Sequence, residues 1–134
     1  MPAAAPARVL IADDDDALRE LLVLNLEAEG MQIFAACDGD EAHRLALQVR
    51  PNIIVLDVMM PMADGLHVLN ALKANPATSD IPVVLLTAKA TDAEIWEGWR
   101  AGADYYITKP FKLDELINFI NYLSNPVDDA LGAN

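Results

Sequence analysis

The sequence predicts an α/β fold in which a single five-stranded parallel sheet is covered by helices on both faces. Short β-branched apolar runs alternate along the chain with longer stretches whose apolar residues recur at helical spacing, which is the pattern of βαβ units. The third and fourth runs are apolar without alternation, as expected for inner strands that helices cover on both faces. The five runs are residues 9–12, 32–34, 53–56, 83–86 and 105–107.

Five helices are predicted to follow these strands, giving a (βα)5 chain. Apolar residues at i, i+3, i+4 and i+8 indicate the first helix, which Gly30 is placed to end. Residues 91–94 have the spacing of a capping box before a fourth helix, and Gly102 offers its stop. Apolar spacing marks the first, second, third and fifth helices. The marking residues are Leu18, Leu21, Leu22, Asn25 and Leu26 in the first, Leu45 and Val49 in the second, Leu66, Leu69 and Leu72 in the third, and Leu113, Leu116, Ile117, Ile120 and Leu123 in the fifth.

Length and composition limit the organisation to one domain. A chain of 134 residues that is 54% hydrophobic supports one compact core of ordinary size but not two. We expect this domain over residues 8–124, with a tail at 1–7. Residues 125–134 are expected to be a second tail or the start of a linker, because Pro126 stops the last helix.

Charge and cysteine content narrow the function. The formal net charge of −12, from 21 acidic and 9 basic residues, repels phosphate backbones, so direct nucleic-acid binding is not expected. No run approaches the roughly 18 apolar residues of a membrane span, and no leader is apparent. Cys37 is the single cysteine and is expected to be packed in the core. These features predict a cytoplasmic protein.

Polar residues follow four of the predicted strands. Residues 13–16 are four aspartates after the first strand, and Asp57, Thr87 and Lys109 follow the third, fourth and fifth. Ligands of an open parallel sheet bind at the carboxyl ends of its strands, so these groups are expected to converge there. For Asp15 and Asp16, helix capping is the simpler interpretation.

The expected cluster of carboxylates requires a compensating cation. Two like charges about 4 Å apart repel by roughly 4 kcal/mol at an effective dielectric of 20, so Asp13, Asp14 and Asp57 would not all stay ionised alone. Magnesium prefers oxygen ligands and needs only one or two carboxylates besides water and phosphate. The sequence therefore predicts a Mg²⁺ site.

The sequence resembles the receiver domains of bacterial two-component response regulators over about residues 8–124. Four motifs carry the resemblance, each at a strand end that periodicity had located: VLIADD at 9–14, DVMMPMADG at 57–65, LTA at 86–88 and GADYYITKPF at 102–111. The resemblance implies the flavodoxin-like strand order 2-1-3-4-5. The family usually has a cis peptide at the position of Lys109-Pro110.

The resemblance also implies roles for the clustered residues. Asp57 would accept a phosphoryl group from a sensor histidine kinase or a phosphotransfer protein. Asp14, Asp57 and the backbone carbonyl of Met59 would bind Mg²⁺ directly, and Asp13 would bind it through a water. Lys109 would contact the phosphoryl oxygens, and Thr87 would donate its hydroxyl.

An output surface is predicted on the fourth helix, the fifth strand and the fifth helix. In the family, residues at the positions of Thr87 and Tyr106 shift together on phosphorylation, which is a population shift between two packings. The surface would contact an output domain, a downstream protein or, in a phosphorylation-dependent homodimer, a second copy. A simpler alternative is that Trp99 and Phe119 only pack against each other. The predicted residues of this surface are Ile95, Trp99, Tyr106, Phe119 and Tyr122.

Three other functions are weighed against this one. A haloacid dehalogenase-type phosphatase needs an Asp-x-Asp motif, and Met59 stands where the second carboxylate would be. A flavodoxin-like cofactor protein would have a Ser/Thr/Gly-rich first loop in place of four aspartates. A pseudo-receiver would bind partners without phosphorylation, although every site residue is present. The prediction is a signalling switch that catalyses only its own phosphorylation and dephosphorylation.

Overall fold

The computed structural model describes residues 6–58, 65–87 and 102–124. Their five strands form one sheet in which all neighbours are parallel and the order is β2-β1-β3-β4-β5. This arrangement confirms the predicted fold class and strand order. The strands are β1 (Arg8–Ala12), β2 (Gln32–Ala36), β3 (Ile53–Asp57), β4 (Val83–Thr87) and β5 (Tyr105–Thr108).

Four helices are described, and each lies where the spacing of apolar residues predicts one. The predicted fourth helix lies outside the described residues, so α4 here is the fifth helix of the sequence prediction. No helix in the described ranges is long and apolar enough to cross a membrane. The helices are α1 (Asp16–Ala28), α2 (Gly39–Val49), α3 (Gly65–Ala74) and α4 (Leu113–Ser124).

Alternate residues of the inner strands enter two separate cores, one on each face of the sheet. In β3, Ile54 and Leu56 pack with α2 and α3, whereas Ile53 and Val55 pack with α1 and α4. All four side chains are fully buried. This placement is the physical reason for the uninterrupted apolar run in β3, because neither face of the strand meets water.

The ends of α1 follow the predicted capping chemistry. Asp15 is the N-cap residue, and its carboxylate accepts a hydrogen bond from the Leu18 backbone N–H at 3.1 Å. At the other end, Gly30 has φ +89° and donates its N–H to the Glu27 carbonyl at 2.9 Å. A positive φ suits glycine, so Gly30 ends the helix as expected.

One sequence prediction about a buried residue is wrong, that for Cys37. In α1, Leu22 and Leu26 are fully buried, whereas Leu21 is 48% exposed. Leu21 lies on the flank of the helix, about 100° around its axis from Leu22. Cys37 is exposed rather than packed in the core, because it follows the edge strand β2 at the rim of the sheet.

Candidate functional site

Three carboxylates meet at the carboxyl end of the sheet. Asp13 and Asp14 follow β1, and Asp57 is the last residue of β3. Each of the three contributes an oxygen, and these oxygens all lie within 4.8 Å of one another. Asp13 and Asp57 are buried, whereas Asp14 is exposed to solvent. The structure therefore brings together the three aspartates that the sequence selected as metal ligands.

Strand register accounts for this convergence. Ala12 pairs with Leu56, so the next residues along β1 and β3, Asp13 and Asp57, lie side by side. The order of strands reverses between β1 and β3, where ligands of doubly wound sheets bind. Thr87 pairs with Thr108, which places Lys109 at the same end of the sheet.

Lys109 lies between the two buried carboxylates. Its Nζ donates to Asp13 Oδ2 at 3.0 Å and to Asp57 Oδ2 at 3.5 Å. Burial lowers the pKa of Lys109, but the hydrogen bond and charge of Asp13, followed by those of Asp57, outweigh burial and raise the pKa overall. Lys109 therefore stays positively charged at neutral pH. Its peptide bond to Pro110 is cis, as in the family that the sequence resembles.

Asp13 and Asp14 differ in how many of their oxygens already accept hydrogen bonds. Asp13 Oδ1 accepts from the Asp15 N–H at 2.9 Å, Oδ2 accepts from Lys109, and the backbone carbonyl accepts from Arg19 Nη1 at 2.7 Å. The exposed carboxylate of Asp14 makes no hydrogen bond to any residue within the described ranges. Its oxygens are thus available to an incoming ligand.

The donor set suits a hard divalent cation. Three carboxylates and one ammonium leave an excess of negative charge at the rim, and every candidate ligand atom is an oxygen. Such a set favours ions like Mg²⁺ or Mn²⁺ over zinc, which prefers nitrogen and sulfur. The site can therefore hold a metal ion in contact with Asp57.

Other predicted site residues are described only in part or not at all. The backbone of Thr87 ends β4, but its side chain is not among the described parts of the structure. Met59, Ile95 and Trp99 lie outside the described residues. Tyr106 is half-buried on β5 and packs against the core formed with α2 and α3.

Three residues of the predicted output surface are neighbours. Tyr106 and Phe119 both line a groove of about 540 Å³, and Phe119 and Tyr122 line a second groove of about 520 Å³. Phe119 also packs against Tyr105, with ring centroids 4.2 Å apart and a tilt of 45° between the planes. Tyr122 is 61% exposed. The sequence analysis did not predict that Tyr105 packs against Phe119. The position of Tyr105 on β5, beside the last helix, was a usable signal for this contact.

Arg19 is a second residue that sequence reasoning missed. It lies on α1 and bonds to the backbone of the loop that carries Asp13 and Asp14. Its position three residues after Asp16 predicts only an ion pair on the helix surface, so the sequence carried no signal for the contact with the loop.

Solved structures of known proteins share this doubly wound architecture. The receiver domain of Francisella response regulator 1452 superposes with a TM-score of 0.84 at 36% identity, over 90% of this chain and 98% of that one. Chemotaxis protein CheY4 of Vibrio cholerae superposes with a TM-score of 0.84 at 28% identity, over 89% of this chain and 99% of that one. The fold therefore defines a CheY-like receiver class.

Sequence comparison leads to the same class. The DNA-binding dual master transcriptional regulator RpaA of Synechocystis is 40% identical over 121 residues, which are 90% of this chain and 50% of RpaA. Response regulator MprA of Mycolicibacterium vanbaalenii is 45% identical over 112 residues, which are 84% of this chain and 48% of MprA. This chain spans about half the length of these curated relatives.

The response regulator receiver domain profile matches residues 9–121. This chain belongs to that family, the receiver domains of two-component response regulators. Members of the family are signalling switches rather than conventional enzymes. Membership decides against the haloacid dehalogenase and flavodoxin alternatives.

Proposed function

We propose that this chain is a phosphorylation-activated switch in which Asp57 accepts the phosphoryl group and Mg²⁺ is the cofactor. The observation that carries the proposal is the convergence of the Asp13, Asp14 and Asp57 carboxylates within 4.8 Å, beside the Lys109 ammonium. Like charges are costly to bring together, and the single Lys109 ammonium offsets only one of the three carboxylate charges, so a further cation would stabilise the cluster.

The three aspartates divide into two proposed direct ligands of the metal and one that would act through a water. Asp14 and Asp57 would bind Mg²⁺ directly with the Met59 backbone carbonyl, and Asp13 would bind it through a water. The hydrogen bonds to every oxygen of Asp13 and to none of the carboxylate oxygens of Asp14 among the described residues support this difference. Bound Mg²⁺ would supply charge neutralisation for the transferring phosphoryl group.

The chemical step is transfer from a phosphohistidine to a carboxylate. An oxygen of Asp57 forms a bond to phosphorus, while the bond from phosphorus to the donor histidine breaks and its electron pair stays on the imidazole. Lys109, already within hydrogen-bond distance of Asp57, would then contact the phosphoryl oxygens together with the Thr87 hydroxyl. Attack of water on phosphorus breaks its bond to the Asp57 oxygen, releases inorganic phosphate and restores the carboxylate, which ends the signal. The domain would thus catalyse only its own phosphorylation and dephosphorylation.

The proposed partners follow from the family. A sensor histidine kinase or phosphotransfer protein would donate the phosphoryl group. Thr87 and Tyr106 would couple the phosphorylated site to the surface that includes Phe119 and Tyr122, and this surface would contact an output domain, a downstream protein or a second copy. RpaA is named as DNA-binding, but the net charge of −12 here favours nucleic-acid contact through another domain.

The proposed organisation is a receiver domain at residues 8–124, within which the family profile ends at 121. Residues 1–7 are then a tail, and residues 125–134 are a second tail or lead into a linker. We further propose a cytoplasmic location, where the kinase domain that donates the phosphoryl group would lie.

Mass spectrometry after incubation with acetyl phosphate and Mg²⁺ tests the proposal. Wild type should gain one phosphoryl group, Asp57→Asn should gain none, and a chelator should prevent labelling of wild type. The matched control is Asp80→Asn, since Asp80 is an exposed aspartate away from the site and should label as wild type does. Stoichiometric labelling of Asp57→Asn would overturn the assignment, and no labelling of wild type would indicate a pseudo-receiver.

A further inference from the structure

An arginine side chain ties the loop between β1 and α1 to the helix that follows it. Arg19 Nη1 donates to the Asp13 backbone carbonyl at 2.7 Å, and Nη2 donates to Asp16 Oδ1. The Arg19 side chain is only 19% exposed, although it carries a full charge. One guanidinium therefore bridges the start of the acidic loop and the first turn of α1.

The bonded carbonyl belongs to the peptide unit that joins Asp13 to Asp14. This peptide plane sets the position of the Asp14 Cα, and the next peptide is held by the Asp15 N–H bond to Asp13 Oδ1 at 2.9 Å. The two planes together fix the direction in which the Asp14 side chain leaves the backbone. The Asp14 carboxylate makes no hydrogen bond among the described residues, so its own side chain does nothing to hold it in place. Its position depends on the backbone that Arg19 holds.

Among the described residues, Arg19 is the hydrogen-bond donor to the Asp13 carbonyl, and the other hydrogen bonds of the loop involve different atoms. The Asp15 N–H donates to Asp13 Oδ1 at 2.9 Å, and the Leu18 N–H donates to Asp15 Oδ1 at 3.1 Å. These bonds orient the Asp13 carboxylate and cap the helix, but neither involves the Asp13 carbonyl. A guanidinium is always charged in proteins and forms a planar fork, which here has two fixed partners, the Asp13 carbonyl and the Asp16 carboxylate.

We infer that Arg19 is a positioning residue for the metal site: by holding the Asp13–Asp14 peptide it places the Asp14 carboxylate for Mg²⁺. The inference rests on the proposed function, because it assumes that Asp14 is a ligand. Arg19 would not itself be a ligand, because a guanidinium has hydrogen-bond donors only and no acceptor to offer a cation. It acts indirectly, by orienting Asp14, as hydrogen-bond partners of metal ligands commonly do.

A purely electrostatic role would have the opposite sign. A positive charge near a cation site repels the cation, so removal of that charge alone would tighten Mg²⁺ binding. Removal of a positioning contact weakens binding, because Asp14 then has to be ordered when the metal binds. The direction of the change therefore separates the two roles.

Isothermal titration calorimetry of Mg²⁺ into the chelator-treated chain tests the inference. Arg19→Met should weaken Mg²⁺ affinity about tenfold, the lower end of the usual effect of such contacts. Arg19→Lys should weaken it as well, because an ammonium keeps the charge but lacks the planar fork that reaches both partners. Arg44→Met is the control, since Arg44 is exposed on α2 and should leave affinity unchanged.

Amide hydrogen exchange followed by NMR gives a second readout that a general loss of stability would not reproduce. In Arg19→Lys, exchange should accelerate at the Asp15 amide, which donates to Asp13 Oδ1, while amides of β3 keep their wild-type rates. If Arg19→Met does not fold, Arg19→Lys alone decides. Affinity that is unchanged or tighter in Arg19→Lys would overturn the inference.

The inference and the proposed function fail in different ways. Wild-type protein that binds no Mg²⁺, or Asp14→Asn that binds it as tightly as wild type, would overturn the proposed metal site and the inference with it. Mg²⁺ binding that depends on Asp14 but not on Arg19 would overturn the inference alone.

Discussion

The Lys109 ammonium donates to Asp13 at 3.0 Å and lies 3.5 Å from an oxygen of Asp57. It therefore offsets part of the charge of the carboxylates that are proposed to hold Mg²⁺. A cation that binds these carboxylates competes with Lys109 for their charge. The same residue is proposed to contact the phosphoryl group, so Lys109 opposes metal binding and favours the phosphorylated state.

Lys109→Met is expected to tighten Mg²⁺ binding. A unit charge about 4 Å from a ligand is worth up to roughly 4 kcal/mol at a dielectric of 20; with exposure to solvent, we expect a gain of about three- to tenfold in affinity. Phosphorylation of this variant should no longer affect the output surface, because Lys109 is no longer there to contact the phosphoryl oxygens. Calorimetry with Mg²⁺ measures the first effect, and Lys112→Met, an exposed lysine of the same segment, is the control. A loss of affinity in Lys109→Met would contradict this division of roles.

Gly102→Ala is expected to destabilise the fold more than Gly30→Ala. Both glycines have positive φ, +103° and +89°, so a side chain costs about 1–2 kcal/mol at either position. At Gly102 a Cβ would also lie 3.1 Å from Lys73 Cγ, whereas at Gly30 it would meet nothing within 4 Å. Lys73 cannot easily move aside, because its Nζ bonds to the Ile81 carbonyl at 2.9 Å and to Asp104 at 3.3 Å.

Urea unfolding of the two glycine variants measures this difference. Gly30→Ala provides the matched control for the cost of the backbone conformation alone. Equal losses of unfolding free energy in both variants would mean that Lys73 gives way and that its hydrogen bonds do not hold it.

Cys37 is expected to be a slow nucleophile despite its exposure. The Glu41 carboxylate is the main cause of a raised pKa for the Cys37 thiol, and Asp38 adds to it. A raised pKa lowers the thiolate fraction at any pH below it, so alkylation by iodoacetamide at pH 8 should be slower than that of a free cysteine. Glu41→Gln should move the pH-rate curve to lower pH, and Asp40→Asn should leave it in place. Identical curves for Glu41→Gln and wild type would contradict this cause.

The strands and their order could be predicted because each strand is a short apolar run and because the motifs at their ends resemble a known family. The distances at the site could not be predicted in the same way. Asp13 and Lys109 are 96 residues apart in the chain, and their 3.0 Å contact depends on the pairing of β1, β3, β4 and β5. Sequence periodicity locates a strand but does not measure its register against a neighbour.

The role of Arg19 was hidden for a different reason. Its spacing from Asp16 is that of an ordinary salt bridge on a helix surface, which contributes little. Only the direction of the Asp13 carbonyl, which no side-chain pattern encodes, reveals the second partner. Helical spacing alone likewise does not distinguish the exposed Leu21 from the buried Leu22, since the two residues are adjacent in the sequence.

The predicted output surface can be tested by separating its packing residue from its exposed residue. Phe119 is half-buried against Tyr105, so Phe119→Ala should cost about 1–3 kcal/mol of unfolding free energy, less than a fully buried phenylalanine. Tyr122 is 61% exposed, so Tyr122→Ala should change stability by less than about 0.5 kcal/mol.

If this surface is used, Tyr122→Ala should nevertheless weaken the association that activation promotes, because exposed aromatic residues are common anchors of interfaces. Sedimentation with and without beryllofluoride and Mg²⁺ measures that association, both for the chain alone and with its cognate partner. Leu24→Ala is the control, since Leu24 is 68% exposed but lies on α1. Association that depends on activation and is equal in wild type and Tyr122→Ala would place the output surface elsewhere.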